Sequence, residues 1–106
     1  MVKLKWTPKA RGHLRSIYEY ISRDSVPYAR RHIERLVTAT EKISQFPEVG
    51  RVVSELTEYG LREIIFQNYR IVYRYLQKER IVQILSVLHC ARDIEKIPIE
   101  ENENPI

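Results

Sequence analysis

The run LREIIFQNYRIVYRYL, residues 61–76, constrains the fold of this chain more than any other stretch. Apolar or aromatic residues return at every second position on both sides of Gln67-Asn68, and a strand sends successive side chains to opposite faces. Two such segments joined by two residues predict an antiparallel hairpin with strands over 61–66 and 69–76, with Asn68 suited to a positive φ in the turn. A two-residue turn places Phe66 opposite Tyr69, Ile64 opposite Ile71 and Arg62 opposite Tyr73. The face carrying those tyrosines and aliphatics is the one to bury. The other face carries Leu61, Glu63, Ile65, Arg70, Val72 and Arg74.

A third strand is predicted over 80–89. If the loop before it has even length, Arg70 lies opposite Val87, Val72 opposite Leu85 and Arg74 opposite Gln83, and His89 joins the Arg70 face. An odd loop reverses the assignment of His89. The second face then sets Glu63, Arg70, Arg74, Gln83 and His89 around Ile65, Val72, Leu85 and Val87, more apolar than a purely solvated face. Two readings stay open. In one, a partner or another part of the chain covers this face as a groove. In the other, Glu63 pairs diagonally with Arg70 or Arg74 and nothing more happens.

Upstream, VKLKW alternates Val2, Leu4 and Trp6 with Lys3 and Lys5, the pattern of a half-buried strand. Thr7-Pro8 then caps a helix to about Ser22, with Ala10, Leu14, Ile17, Tyr18 and Ile21 at helical spacing. Asp24 or Ser25 caps a second helix that reaches about Gln45, its stripe being Ala29, Ile33, Leu36, Val37, Thr40 and Ile43. The short connection makes the pair an antiparallel hairpin. Arg30, Arg31 and Arg35 lie on its polar side, and a charged helical face is ordinarily just solvated. FPEVGR stops the second helix, and residues 51–60 read as a loop. The layout is β-α-α-β-β-β: an α+β fold with a helical hairpin on one face of a mainly antiparallel sheet. Residues 1–96 form one domain and 97–106 an acidic tail.

Charge narrows the partners. Lys and Arg number 18 against 14 acids, three of which (Glu100, Glu101, Glu103) fall in the tail, so residues 1–99 carry 18 − 11 = +7. A basic body suits nucleic acid or an acidic protein surface. The single Cys90 excludes a disulfide framework, and no apolar run is long enough for a signal peptide or a membrane span. The expectation is a cytoplasmic protein. His13, His32 and His89 lack partners at metal-ligand spacing, so neither metal nor cofactor is expected.

The ordered blocks PEVGR, LREIIF, YRIVYRY and ILSVLHCARD resemble those of the RelE/ParE toxin superfamily, the toxins of type II toxin–antitoxin or plasmid-stabilisation modules. The likeness covers about residues 2–95. It implies the RelE/ParE fold and a cognate antitoxin as partner. It also implies one of two activities: ribosome-dependent cleavage of mRNA (an mRNA interferase, RelE-like), or inhibition of DNA gyrase by protein contact (ParE-like). Under the nuclease reading Arg70 matches a phosphate-binding arginine, Arg62 and Arg74 assist, and His89 supplies acid or base, with Glu63 a weaker base candidate. Against it, SELTEYG before the strands is acidic, and no tyrosine follows Tyr75. HCARD fits the ParE-like branch better, with Arg92 and Asp93 closing the strand end. There Glu63, Ile65, Arg70, Val72, Arg74, Gln83 and Leu85 form a partner-binding face. A degenerate toxin that only binds its antitoxin is a third reading.

Overall fold

The structure, a computed structural model, describes residues 2–53 and 60–90. The elements are β1 (Lys3–Trp6), α1 (Pro8–Ser22), α2 (Val26–Gln45), β2 (Arg51–Val52), β3 (Arg62–Phe66), β4 (Tyr69–Leu76) and β5 (Ile81–His89). The α+β architecture and helical hairpin are as expected. The sequence reading missed one strand: β2, two residues inside the segment taken as loop, extends the sheet to five strands in the order β1-β5-β4-β3-β2. Two residues are too few to show a period, so only pairing with β3 reveals it. All neighbours are antiparallel except β1 and β5.

The caps act as their residue types require. Thr7 Oγ accepts from the Ala10 amide at 3.1 Å and Ser25 Oγ from the Tyr28 amide at 3.2 Å, satisfying amides that a helix start leaves unpaired. Thr7 Oγ also donates to the Ile84 carbonyl at 2.9 Å, so one side chain starts α1 and fastens it to β5. At the other end of the hairpin, Ser44 Oγ donates to the Val2 carbonyl at 2.6 Å, tying α2 to the start of the chain.

Packing between the helices and the sheet forms the main core, with Ala10, Leu36, Ile43, Ile71, Tyr73, Val82, Ile84 and Val87 buried. Each fully buried aliphatic side chain there contributes about 1.5–3 kcal/mol over an exposed one. A second cluster, Val53, Leu61, Val72, Leu85 and Leu88, lies on the opposite face.

The β3–β4 register is the expected one, Phe66 opposite Tyr69 and Arg62 opposite Tyr73. The positive φ falls on Gln67 (53°) rather than on Asn68, so the first turn residue makes the reversal. The β4–β5 register begins as the even-loop reading requires, Leu76 opposite Ile81 and Arg74 opposite Gln83, across the four-residue loop 77–80. It then shifts. Tyr73 pairs with Ile84 but Val72 pairs with Ser86, leaving Leu85 as the extra residue of a β-bulge. Val72 is thus opposite Ser86 and not Leu85, and Arg70 is opposite Leu88 and not Val87. Val87 turns to the helices, and so does His89, which pairs with Tyr69. The expected placement of His89 on the Arg70 face is corrected by this bulge, since one inserted residue exchanges the faces beyond it.

The bulge sits where β1 ends. Past Ile84 no β1 residue pairs with β5, and His13 of α1 takes over, its Nδ1 accepting from the Val87 amide at 3.1 Å. The acidic tail and the Arg92–Asp93 pair lie outside the described residues.

Candidate functional site

The expected partner face is organised around Glu63. Its carboxylate, only 2% exposed, accepts from Arg70 Nε through Oε1 and from Arg51 Nε through Oε2, each at 2.6 Å. Burial of a carboxylate is costly unless paired, and two guanidiniums meet that need with one positive charge to spare. The Arg70 side chain is itself 12% exposed, whereas Arg51 is 69% exposed and gains little from a screened contact. Arg74 does not reach Glu63. Its Nε and Nη2 both donate to Gln83 Oε1, at 3.1 and 2.7 Å.

Glu63, Ile65, Arg70, Val72, Arg74, Gln83 and Leu85 do come together on one face, but the face is closed at its centre. Glu63, Val72, Gln83 and Leu85 are buried, Arg70 and Arg74 are half-buried, and only Ile65 is well exposed. The open groove implied by the mixed pattern is therefore reduced to a rim of Arg51, Ile65, Arg70 and Arg74. Two polar atoms beneath it, Gln83 Nε2 and Ser86 Oγ, are buried without a hydrogen-bond partner.

The catalytic candidates are not assembled. Arg62 lies across the sheet from Arg70, beside Tyr73, and its Nη1 donates to the carbonyls of Gly50 (2.8 Å) and Glu48 (3.3 Å). Tyr73 Oη donates to the Pro47 carbonyl and accepts from the Gly50 amide, both at 2.8 Å. Arg62 and Tyr73 thus clamp the FPEVG turn. Burial pushes the Tyr73 hydroxyl pKa up, and the Gly50 amide and Arg62 act against that rise. A side-chain carbon at Gly50 would lie 2.7 Å from the Glu63 carbonyl oxygen and from the Tyr73 ring, so glycine is required there. His89 is on the helical side with Arg62, but it pairs with Tyr69, four residues along β4 from Tyr73. At about 3.3 Å per residue this separates the two by roughly 13 Å along the strand.

One feature of the helical side was not read from sequence. His32 is buried (6% exposed) and wedged among rings, stacked on Tyr28 at 6.2 Å and tilted against Phe66 at 5.9 Å and Tyr69 at 5.6 Å. The His89 ring meets Tyr69 edge-on at 5.8 Å. Burial, then the Arg35 charge, lowers the His32 pKa from its ordinary value. Its Nε2 has no hydrogen-bond partner. Burial, then Tyr20 and Tyr28, raises that of Tyr69. The signal was available: His32 lies three residues after Ala29 and four before Leu36, inside the apolar stripe. Among the described residues no three His, Cys, Asp or Glu side chains are grouped to hold a metal ion. No helix among them is long and apolar enough to cross a membrane.

Two helices on one face of this five-stranded sheet define a small α+β fold, and the comparisons give its family. The profile of the family described as the ParE toxin of the type II toxin–antitoxin system, parDE, matches residues 4–94. The chain is 32% identical over 92 residues to Toxin RelE2 of Caulobacter vibrioides, covering 87% of this chain and 99% of that one. It is 33% identical over 90 residues to the putative toxin Y4kP of Sinorhizobium fredii, covering 83% and 88%. In three dimensions it resembles a chain of the chromosomal ParDE system from P. aeruginosa, with TM-score 0.71, 22% identity and coverage of 84% and 96%. It also resembles a chain of the intact E. coli RelBE toxin–antitoxin complex, with TM-score 0.62, 18% identity and coverage of 87% and 100%. The chain belongs to the ParE toxin family, within the RelE/ParE superfamily of type II toxins.

Proposed function

We propose that this toxin acts by protein contact on DNA gyrase, without cutting RNA, and is neutralised by a cognate antitoxin. The observation that carries this reading is the state of Arg70. Cleavage through a 2′-hydroxyl needs a base, an acid and a cation converging on one phosphate. Arg70 has its Nε engaged by buried Glu63, Arg62 is fastened to backbone carbonyls on the other side of the sheet, and His89 lies on that same other side, away from Arg62. In a contact inhibitor these residues need not converge. The rim of Ile65, Arg70 and Arg74 suits a partner offering apolar groups and carboxylates, and the two structural relatives come from toxin–antitoxin systems, which supports an antitoxin as one such partner.

The test is direct. Purified protein is added to gyrase with relaxed plasmid, and separately to ribosomes translating a defined message. Inhibited supercoiling with intact message is expected. Site-specific cuts in the message that disappear in Arg70→Ala, with normal supercoiling, would replace this reading with the RelE-like one. Antitoxin binding with neither effect would mark a degenerate toxin.

A further inference from the structure

We propose that the exposed surface around the interhelical turn, centred on Tyr20 and Tyr28, is where the toxin docks on its protein target. It fits a protein surface that offers an apolar recess with a carboxylate at its edge to meet Arg23. This rests on the gyrase reading above and supplies the contact surface it needs.

Three of the seven exposed large hydrophobic side chains among the described residues fall in this short stretch: Tyr20 (69%), Val26 (45%) and Tyr28 (53%). Neither Tyr20 nor Tyr28 belongs to either core cluster, so packing of the core does not account for them. Each has a ring or a cation beside it. Tyr28 stacks on buried His32 with 17° between the rings, and the Arg23 guanidinium lies 5.8 Å from the centre of the Tyr20 ring. Tyr28 is linked to Tyr69 through His32, whose ring tilts against that of Tyr69 at 5.6 Å. The surface is thus built on a base that joins α2, β3, β4 and β5.

Tyrosine and arginine dominate the energetic centres of protein interfaces, and rings already ordered in the free protein lose less entropy on binding. Composition favours a protein over nucleic acid. Val26 offers an aliphatic contact, and the acids Glu19 and Asp24 stand among the cations Arg23, Arg30 and Arg31, a mixture of signs that matches a protein surface better than a uniformly anionic phosphate backbone. Arg23 is the cation paired with the aromatic surface, and it calls for a carboxylate on the partner. The surface is on the helical side of the sheet and Arg70 is on the other, so the two can be altered separately.

The experiment measures gyrase affinity and supercoiling inhibition for the full-length toxin and for Tyr20→Ala, Tyr28→Ala, Tyr20→Phe and Arg23→Glu. Phe46→Ala, an exposed residue at the far end of α2, serves as control. Tyr20→Ala, Tyr28→Ala and Arg23→Glu are expected to weaken binding about tenfold or more, while Tyr20→Phe and Phe46→Ala stay within about twofold. Tyr28→Ala also removes a ring from His32, so Tyr20→Ala and Arg23→Glu, with unchanged thermal unfolding, decide the matter. Wild-type protein that inhibits gyrase, with both of those variants equally active, would overturn the docking surface and leave the gyrase reading standing. Absence of gyrase binding by the wild type would overturn both. Loss of affinity for a single-stranded oligonucleotide with unchanged gyrase affinity would assign the surface to nucleic acid and overturn the proposal.

Discussion

Arg70 and Glu63 meet diagonally across β3 and β4, Nε to Oε1 at 2.6 Å, with the carboxylate 2% exposed. The pair joins the two central strands of the arginine face and, through Arg51, holds the short β2 against them. Removing one partner of a buried pair is far more damaging than removing an exposed one. Glu63→Ala is expected to cost about 3–5 kcal/mol, because Arg70 is left without its carboxylate in a largely buried place. Arg51→Ala is expected to cost under about 1 kcal/mol, its guanidinium being mostly in solvent. Urea unfolding of the two variants checks the order, and equal midpoints would show that the pair is not structural.

The FPEVG turn depends on the Tyr73 hydroxyl, which donates to Pro47 and accepts from Gly50. Tyr73→Phe leaves the Gly50 amide and the Pro47 carbonyl without that partner and is expected to lower stability by about 1–3 kcal/mol. Gly50→Ala is expected to be worse, since its new carbon meets backbone as well as the ring at 2.7 Å. Thermal unfolding measures both, and a Gly50→Ala variant as stable as the wild type would refute the close approach.

His32 makes stability depend on pH. Its folded-state pKa is lowered below the unfolded value of 6.5, first by burial and then by Arg35. Between those two values the unfolded chain binds a proton that the folded chain does not, so stability is full above about pH 6.5 and falls as the pH drops toward the folded value. The surrounding Tyr28, Phe66 and Tyr69 rings carry no negative charge in this range to oppose the loss. Melting temperature followed from pH 8 to pH 5 should fall in the wild type and fall less in His32→Phe. Parallel curves for the two proteins would remove His32 as the cause.

The Val87 amide, left without β1, is met by His13 Nδ1 at 3.1 Å. Such a bond needs the ring proton on Nε2 and is lost if the imidazole is protonated. His13→Ala is expected to cost about 1–3 kcal/mol and to speed hydrogen exchange at Val87. Unchanged exchange there would show that another group satisfies the amide.

Much of the fold was legible because its signals are local. Thr7-Pro8 and Ser25-Val26-Pro27 cap helices wherever they stand, and the period of two around Gln67-Asn68 sets which β3 residue meets which β4 residue. The membership of the arginine face from Glu63 to Arg74 followed from the same period. Its burial did not, because alternation states which way a side chain points and not what lies over it. Leu61, Val53 and Leu88 join that face from three separate segments to form a second core.

By itself, the sequence determined the order of every element but β2, the helical hairpin and the β3–β4 register, and it left Glu63 two diagonal arginines as possible partners. Tertiary structure alone decided that Arg70 is the partner, that Arg62 clamps a turn on the far face, and that His89 leaves the arginines for Tyr69. The physical reason is the bulge at Leu85. Parity carries a face assignment along a strand only while the ladder is regular, and β5 loses its regular β1 neighbour where β1 ends. There a histidine from α1, 74 residues away in the chain, takes the next free amide. No short-range pattern in the sequence encodes that exchange of partners.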